Sequence, residues 1–279
     1  MSLSETASRK IPALRHRRRE QFSTPARIAW TRRALVLALL IVWEIWARLS
    51  GNLELIAPPS AIARALFTDI LSDGQIRAAI LLTLFEVTCA YGLAIAIGLA
   101  MGLAIGATEL ARRSLFPIIL LLYAIPQVVL LPLFMLGFGI GPAAKIAFGF
   151  SHGVFPIIVN VVAGMRDVNP LYLRAAQSMG ARRADIIRDV IFPHMVTSFF
   201  AGLRLAMTMT LLGVILAELY VSTSGVGYFT RLFAESFNPA PLYALIGILA
   251  IIAILLNEIV RAAERRFTRW KHRSSWMRE

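Results

Sequence analysis

The chain reads as an all-α protein that crosses a membrane several times, and three observations predict this. Of its 279 residues, 58% are hydrophobic, against about 45–50% in soluble domains. The apolar residues fall in runs long enough to span a bilayer, which takes about 20 residues. The charges gather in a few short segments between those runs. One globular core of this size cannot hide so much apolar surface, so lipid must solvate part of it.

The formal net charge of +13 first suggests a nucleic-acid partner, but its distribution excludes one. Residues 1–33 hold nine basic and two acidic side chains, and residues 259–279 hold seven and two. The segment 165–191 holds five and three, and the turn 109–113 holds two and one. The rest of the chain is slightly acidic. Arginines concentrated in alternate connections follow the positive-inside rule. Both termini, the 109–113 turn and the 165–191 loop are therefore expected in the cytoplasm, with membrane lipid as a partner.

Six spans are predicted, at about 33–49, 78–107, 115–136, 143–164, 195–221 and 242–261. They define a membrane domain over 33–268, flanked by a basic N-terminal arm, 1–32, and a basic tail, 269–279. The arm has no clean small-residue cleavage site after its apolar stretch, unlike a signal peptide. After the first span, Pro58-Pro59-Ser60 and the following IARALFTDIL predict an amphipathic helix on the outer surface.

The second span carries Gly98, Gly102 and Gly106 on one helix face. That stripe lets another helix approach closely, within the chain or across a subunit contact. The third contains Pro117, Pro126 and Pro132. Broken helix at membrane depth is tolerated only where protein or a water-filled cavity supplies partners, so this span, with Pro126 at its centre, is expected to line a pathway.

Charges inside spans are costly and point to function. Glu44 and Arg48 are spaced to pair along one helix, and Glu258 with Arg261. Glu86, Arg204 and Glu218 remain as pathway or gating candidates. His152 and His194 are expected as satisfied histidines near span ends.

The loop 165–193 is the long polar interruption in the second half. Asn169-Pro170 is a helix start with Pro at the first helical position. Ala175 and Ala176 leave the backbone open to another surface. Gly180 ends this short helix, Arg182 to Val190 form a second amphipathic piece, and Pro193 opens the fifth span.

RAAQSMGARRADIIRDVIFP resembles the signature loop of binding-protein-dependent ABC importer permeases: Glu-Ala-Ala, three residues, Gly, then Pro thirteen residues later. Ala175, Ala176, Gly180 and Pro193 stand at those offsets. The likeness extends over about 55–270, in the order of the nitrate/sulfonate/taurine branch, through APPSAIARALF, FPIIVNVVAGMRDVNP, AGLRLA and LAELYVSTSGVGY. It departs twice. Arg174 stands where the signature has Glu, and TLFE, Thr83 to Glu86, stands where the branch usually has Ser-Leu-x-Arg.

The resemblance implies a MetI-like, type I importer permease fold and a pathway for a small solute, a sulfonate, nitrate or similar ion, or a small heterocyclic precursor. It implies a second permease subunit, expected to be a second copy of this chain in a homodimer, two cytoplasmic ATP-binding subunits, an extracytoplasmic solute-binding protein and an inner-membrane location. Arg174, Ala175, Ala176, Gly180, Ala181 and Pro193 would couple to the ATPase. No catalytic group, cofactor or metal is expected on this chain. Its three lysines, Lys10, Lys145 and Lys271, do not follow glycine, so a Walker A loop is absent. There is no HExxH, and Cys89 is the only cysteine. The alternative is a secondary transporter driven by an ion gradient, with Glu86 or Glu218 as a proton site.

Overall fold

A computed structural model of the chain describes residues 25–51 and 56–267, and leaves aside the side chains of residues 25–27 and Arg183. Most of the expected arm and all of the tail from residue 269 lie outside the described residues.

Eleven α-helices run along the described residues: α1 Pro25–Leu49, α2 Pro59–Ala65, α3 Gly74–Gly106, α4 Glu109–Ala124, α5 Leu131–Phe138, α6 Pro142–Arg166, α7 Pro170–Ser178, α8 Arg183–Ile186, α9 Phe192–Val221, α10 Val226–Glu235 and α11 Pro239–Phe267. Local chemistry fixes their starts. Gln75 N–H donates to Asp73 Oδ1 at 2.7 Å ahead of α3, and Ala111 N–H donates to Thr108 Oγ1 at 3.1 Å ahead of α4. Each such cap is worth about 1 kcal/mol.

Among the described residues, α3, α6, the continuous helix Ala184–Val221 and α11 are long and apolar enough to cross a membrane. The pair α4 and α5 forms a further apolar stretch long enough to cross, broken by an 82° bend. The expected first span is α1, which begins at Pro25, inside the segment assigned to the arm. It is long enough to cross, but its uncharged stretch is only 34–43. Glu44 and Arg48 neutralise each other, Nε to Oε1 2.6 Å, which lowers the cost of placing this stretch in lipid. Ser60 joins them, donating through N–H to Glu44 Oε2 at 3.0 Å and through Oγ to Oε1 at 2.8 Å. The expected pair therefore also pins the end of α1 to the start of α2.

The core is the stack α3–α6–α9, where α6 packs on α9 along one side and on α3 along the other. Val87, Ala90, Ala94, Ile157, Ile158, Val161, Ala206 and Val214 fill it. The glycine stripe of α3 belongs to this contact. A Cβ on Gly98 would lie 2.9 Å from Ile157 Cβ, and one on Gly102 would lie 2.7 Å from Val161 Cβ. Of the two expected uses, the structure shows packing within the chain.

Two local expectations are corrected. The second amphipathic piece of the loop is not a separate surface helix: α8 passes through a π turn, Ile187–Ile191, straight into α9. Pro193 has no N–H for the carbonyl four residues back, and the wider π turn absorbs that mismatch. His152 is not near a span end. It lies inside α6, 9% exposed, with Nδ1 3.0 Å from the Phe148 carbonyl.

Candidate functional site

Three features stand out: a buried ion cluster, the break in the α4–α5 span, and the loop helix α7.

The cluster joins α3, α6, α9 and α10. Lys145, one turn into α6, places Nζ 2.6 Å from Glu86 Oε1 and 3.9 Å from Glu218 Oε1. It also donates to the Ser224 carbonyl at 3.3 Å. Thr83 Oγ1 donates to Glu218 Oε1 at 2.7 Å and accepts from Val226 N–H at 3.0 Å. Gly227 N–H donates to Glu218 Oε2 at 2.8 Å. The first turn of α10 is thus capped by side chains of α3 and α9. Gly225 ahead of it has φ +103°, and the Glu218 carboxylate fills the place a side chain would need.

Glu86 and Glu218 are fully buried and Lys145 is 3% exposed. Neither Glu86 oxygen accepts a well-aligned hydrogen bond, so the 2.6 Å approach of Lys145 is a charge contact. Of the expected candidates, the structure brings Glu86 and Glu218 together. Arg204 is elsewhere, paired with Glu264 of α11. Lys145 and Thr83 were not among the expected site residues. The signal for Lys145 was present, since it is the only formally charged residue between Arg113 and Arg166, and a lone charge in a span points to function.

At the break, α4 ends at Ala124, Pro126 is extended with φ −61° and ψ 98°, and a 3₁₀ turn, Gln127–Leu130, leads into α5. Pro126 thus sits at the bend, as the proline count predicts. Two contacts tie this region to α6. The Tyr123 ring stacks on Phe155, centroids 5.7 Å apart and planes 19° apart. Ser151 Oγ lies 3.4 Å from Gln127 Oε1. Ser151 and Phe155 are one helical turn apart, so the contacts form two consecutive rungs on one face of α6. All four side chains are half-buried.

Helix α7 starts as expected, with Leu171 N–H donating to Asn169 Oδ1 at 2.9 Å. It ends at Gly180, φ +80°. There Gly180 N–H reaches the Gln177 carbonyl and Ala181 N–H the Ala176 carbonyl, each at 3.0 Å. This left-handed closure satisfies the last carbonyls. The alanine pair divides: Ala175 is exposed, while Ala176 is 6% exposed and turned into the chain. Leu171, Tyr172 and Met179, which the motif does not name, are exposed at 66%, 58% and 81%. Arg174 is exposed and makes no ion pair among the described residues. No three His, Cys, Asp or Glu side chains among the described residues converge as metal ligands would.

Long apolar helices, one pair of them bent at a proline, and a short exposed helix between two others define a polytopic membrane protein. Residues 94–269 match the family of binding-protein-dependent transport system inner membrane components, and the chain belongs to that family. It is 32% identical over 237 residues to the taurine transport system permease protein TauC of Escherichia coli strain K12, covering 83% of this chain and 86% of that one. It is 29% identical over 235 residues to the formylaminopyrimidine transport permease protein ThiX of Halalkalibacterium halodurans, covering 84% and 93%. Among solved structures, the fold is similar to a chain of the inward-facing MetNI methionine ABC transporter, with TM-score 0.62, 17% identity and coverage of 70% and 96%. The fold is thus that of the MetI-like permeases.

Proposed function

We propose that this chain forms half of the pathway of an ATP-driven importer, as a homodimer, with two ATP-binding subunits docked on α7 and an extracytoplasmic binding protein delivering the solute. The observation that carries this reading is α7 itself. A short capped helix presents Leu171, Tyr172, Arg174, Ala175 and Met179 outward from a family permease, and beyond the tight turn at Gly180 the chain enters α8, which runs without interruption into the span α9. A pull on α7 is thereby transmitted to a rigid helix of the core. The basic connections put α7 and both termini in the cytoplasm, and α2 and α10 on the outer face. Arg174, Ala175, Gly180 and Ala181 form the coupling surface. Ala176 and Pro193 support it, one by packing inward and the other by setting the start of α9.

The solute belongs to one of two classes carried by relatives: sulfonates, which the sequence resemblance favours, or small heterocycles. In the rival reading, an ion-driven transporter, Glu86 or Glu218 would take up and release a proton. Against it, both Glu218 oxygens are already engaged by Thr83 and Gly227 in capping α10. The test is reconstitution with the cognate ATPase and binding protein in liposomes. Uptake is expected only with ATP inside. Uptake by the chain alone, driven by an ion gradient, would overturn the reading.

The reversed charge at the signature's first position gives a separate prediction. Arg174→Glu is expected to weaken capture of the cognate ATPase by about tenfold in a pull-down, because it places like charges across a docked surface. Unchanged capture would show that Arg174 faces no acidic group.

A further inference from the structure

From Arg113 to Arg166 the chain carries one formally charged side chain, Lys145, and it is buried against Glu86. The broken span and the α6 face beside it thus expose no formal charge. Their polar groups concentrate at the break. Gln127 makes one long contact, to Ser151, and among the described residues its amide nitrogen has no hydrogen-bond partner. The Tyr123 hydroxyl has none among them either, although its ring stacks on Phe155. Ser151 donates to the Phe148 carbonyl at 2.7 Å, and its oxygen otherwise makes only 3.4 Å contacts, to Gln127 Oε1 and His152 Nδ1. At 1.5 Å per residue, Ser151 and Phe155 stand about 14–22 Å from the two ends of α6, well inside the apolar layer. Unpaired polar groups at that depth are expensive and are tolerated where they line a cavity.

We infer that Tyr123, Gln127, Ser151 and Phe155 form the solute-contact site of the pathway, and that the site takes a planar, uncharged, hydrogen-bonding heterocycle and disfavours a sulfonate. The inference rests on the permease reading above and chooses between its two solute classes. The Tyr123–Phe155 stack offers its outer ring faces to a flat solute. The amide and the two hydroxyls offer donors and acceptors without a net charge. A sulfonate passing the same point would be a desolvated anion with no cation to meet it, which is the costliest case.

The test uses the whole importer, this chain with its ATPase and its cognate binding protein, in inverted and right-side-out vesicles. Cys89→Ser removes the native thiol, and Gln127→Cys or Ser151→Cys supplies a new one. A water-soluble methanethiosulfonate reagent is expected to label both positions. Cytosine, an uncharged aminopyrimidine, should slow labelling about fivefold, the occupancy effect expected at about four times its Kd, while ethanesulfonate at equal concentration leaves the rate unchanged. Protection by ethanesulfonate equal to or greater than that by cytosine overturns the solute class, as does protection by neither. Failure of both cysteines to label overturns the site. ATP-driven uptake by the parent importer in the same vesicles tests the permease reading separately, so the two failures are distinguishable.

Discussion

Lys145→Met is expected to cost about 3–5 kcal/mol, the usual penalty for removing one partner of a buried charge pair. The substitution leaves Glu86 and Glu218 fully buried with no ammonium between them. Glu218 would keep its bonds from Thr83 and Gly227, whereas Glu86 would keep no counter-charge at all. The measurable outcome is loss of the monodisperse peak in detergent and a large drop in the melting temperature of what remains. Glu86→Gln should do far less, because it leaves Lys145 paired with Glu218 and removes the surplus negative charge. Adding Glu86→Met to Lys145→Met should recover most of the loss, since a buried pair replaced by apolar side chains of similar volume is often neutral. The coupling between the two positions in that cycle measures the pair directly. Equal destabilisation by Lys145→Met and Glu86→Gln would mean that packing, not charge, holds the cluster.

The cluster also shows where sequence reading stops. Glu86 and Glu218 could be singled out because a carboxylate in an apolar run is expensive wherever it sits. Their meeting could not be read, because it depends on how α3 and α9 rotate about α6, which no local pattern encodes. In TLFE, Glu86 falls where the Ser-Leu-x-Arg element has its Arg, and the structure supplies Lys145 as the opposite charge that Glu86 meets. Helix positions were more legible. Apolar run length gave five of the crossings, Asn169-Pro170 gave the start of α7, and the proline count gave a broken third span, though not its 82° bend. The glycine stripe on α3 was legible as a close contact and ambiguous in its partner, because spacing shows which face is thin and not what lies against it. In the loop, the motif named Ala175 and Ala176 together. Only the three-dimensional setting separates the exposed one from the buried one, and only exposure reveals Leu171, Tyr172 and Met179 beside them.

Gly180→Val is expected to lower solute uptake per ATP hydrolysed by about tenfold while leaving assembly and ATPase activity largely intact. Gly180 holds φ at +80°, and a Cβ there would meet nothing within 4 Å. Within the chain the objection to a side chain is therefore conformational, not steric. A β-branched residue is a genuine outlier in the left-handed region, where ordinary L-residues are disfavoured by about 1–2 kcal/mol. Valine should open the closure in which Gly180 and Ala181 bind the last carbonyls of α7. The helix would survive through its Asn169 cap but would no longer be fixed in direction relative to α8 and α9, so motion of a docked ATPase would be lost before it reached the core. Gly180→Asn separates the two explanations. Asparagine is close to valine in size but accepts left-handed geometry, so it should keep uptake coupled if backbone direction is what matters. Equal loss in both variants would instead mean that the partner's surface lies directly against Gly180 and tolerates no side chain there.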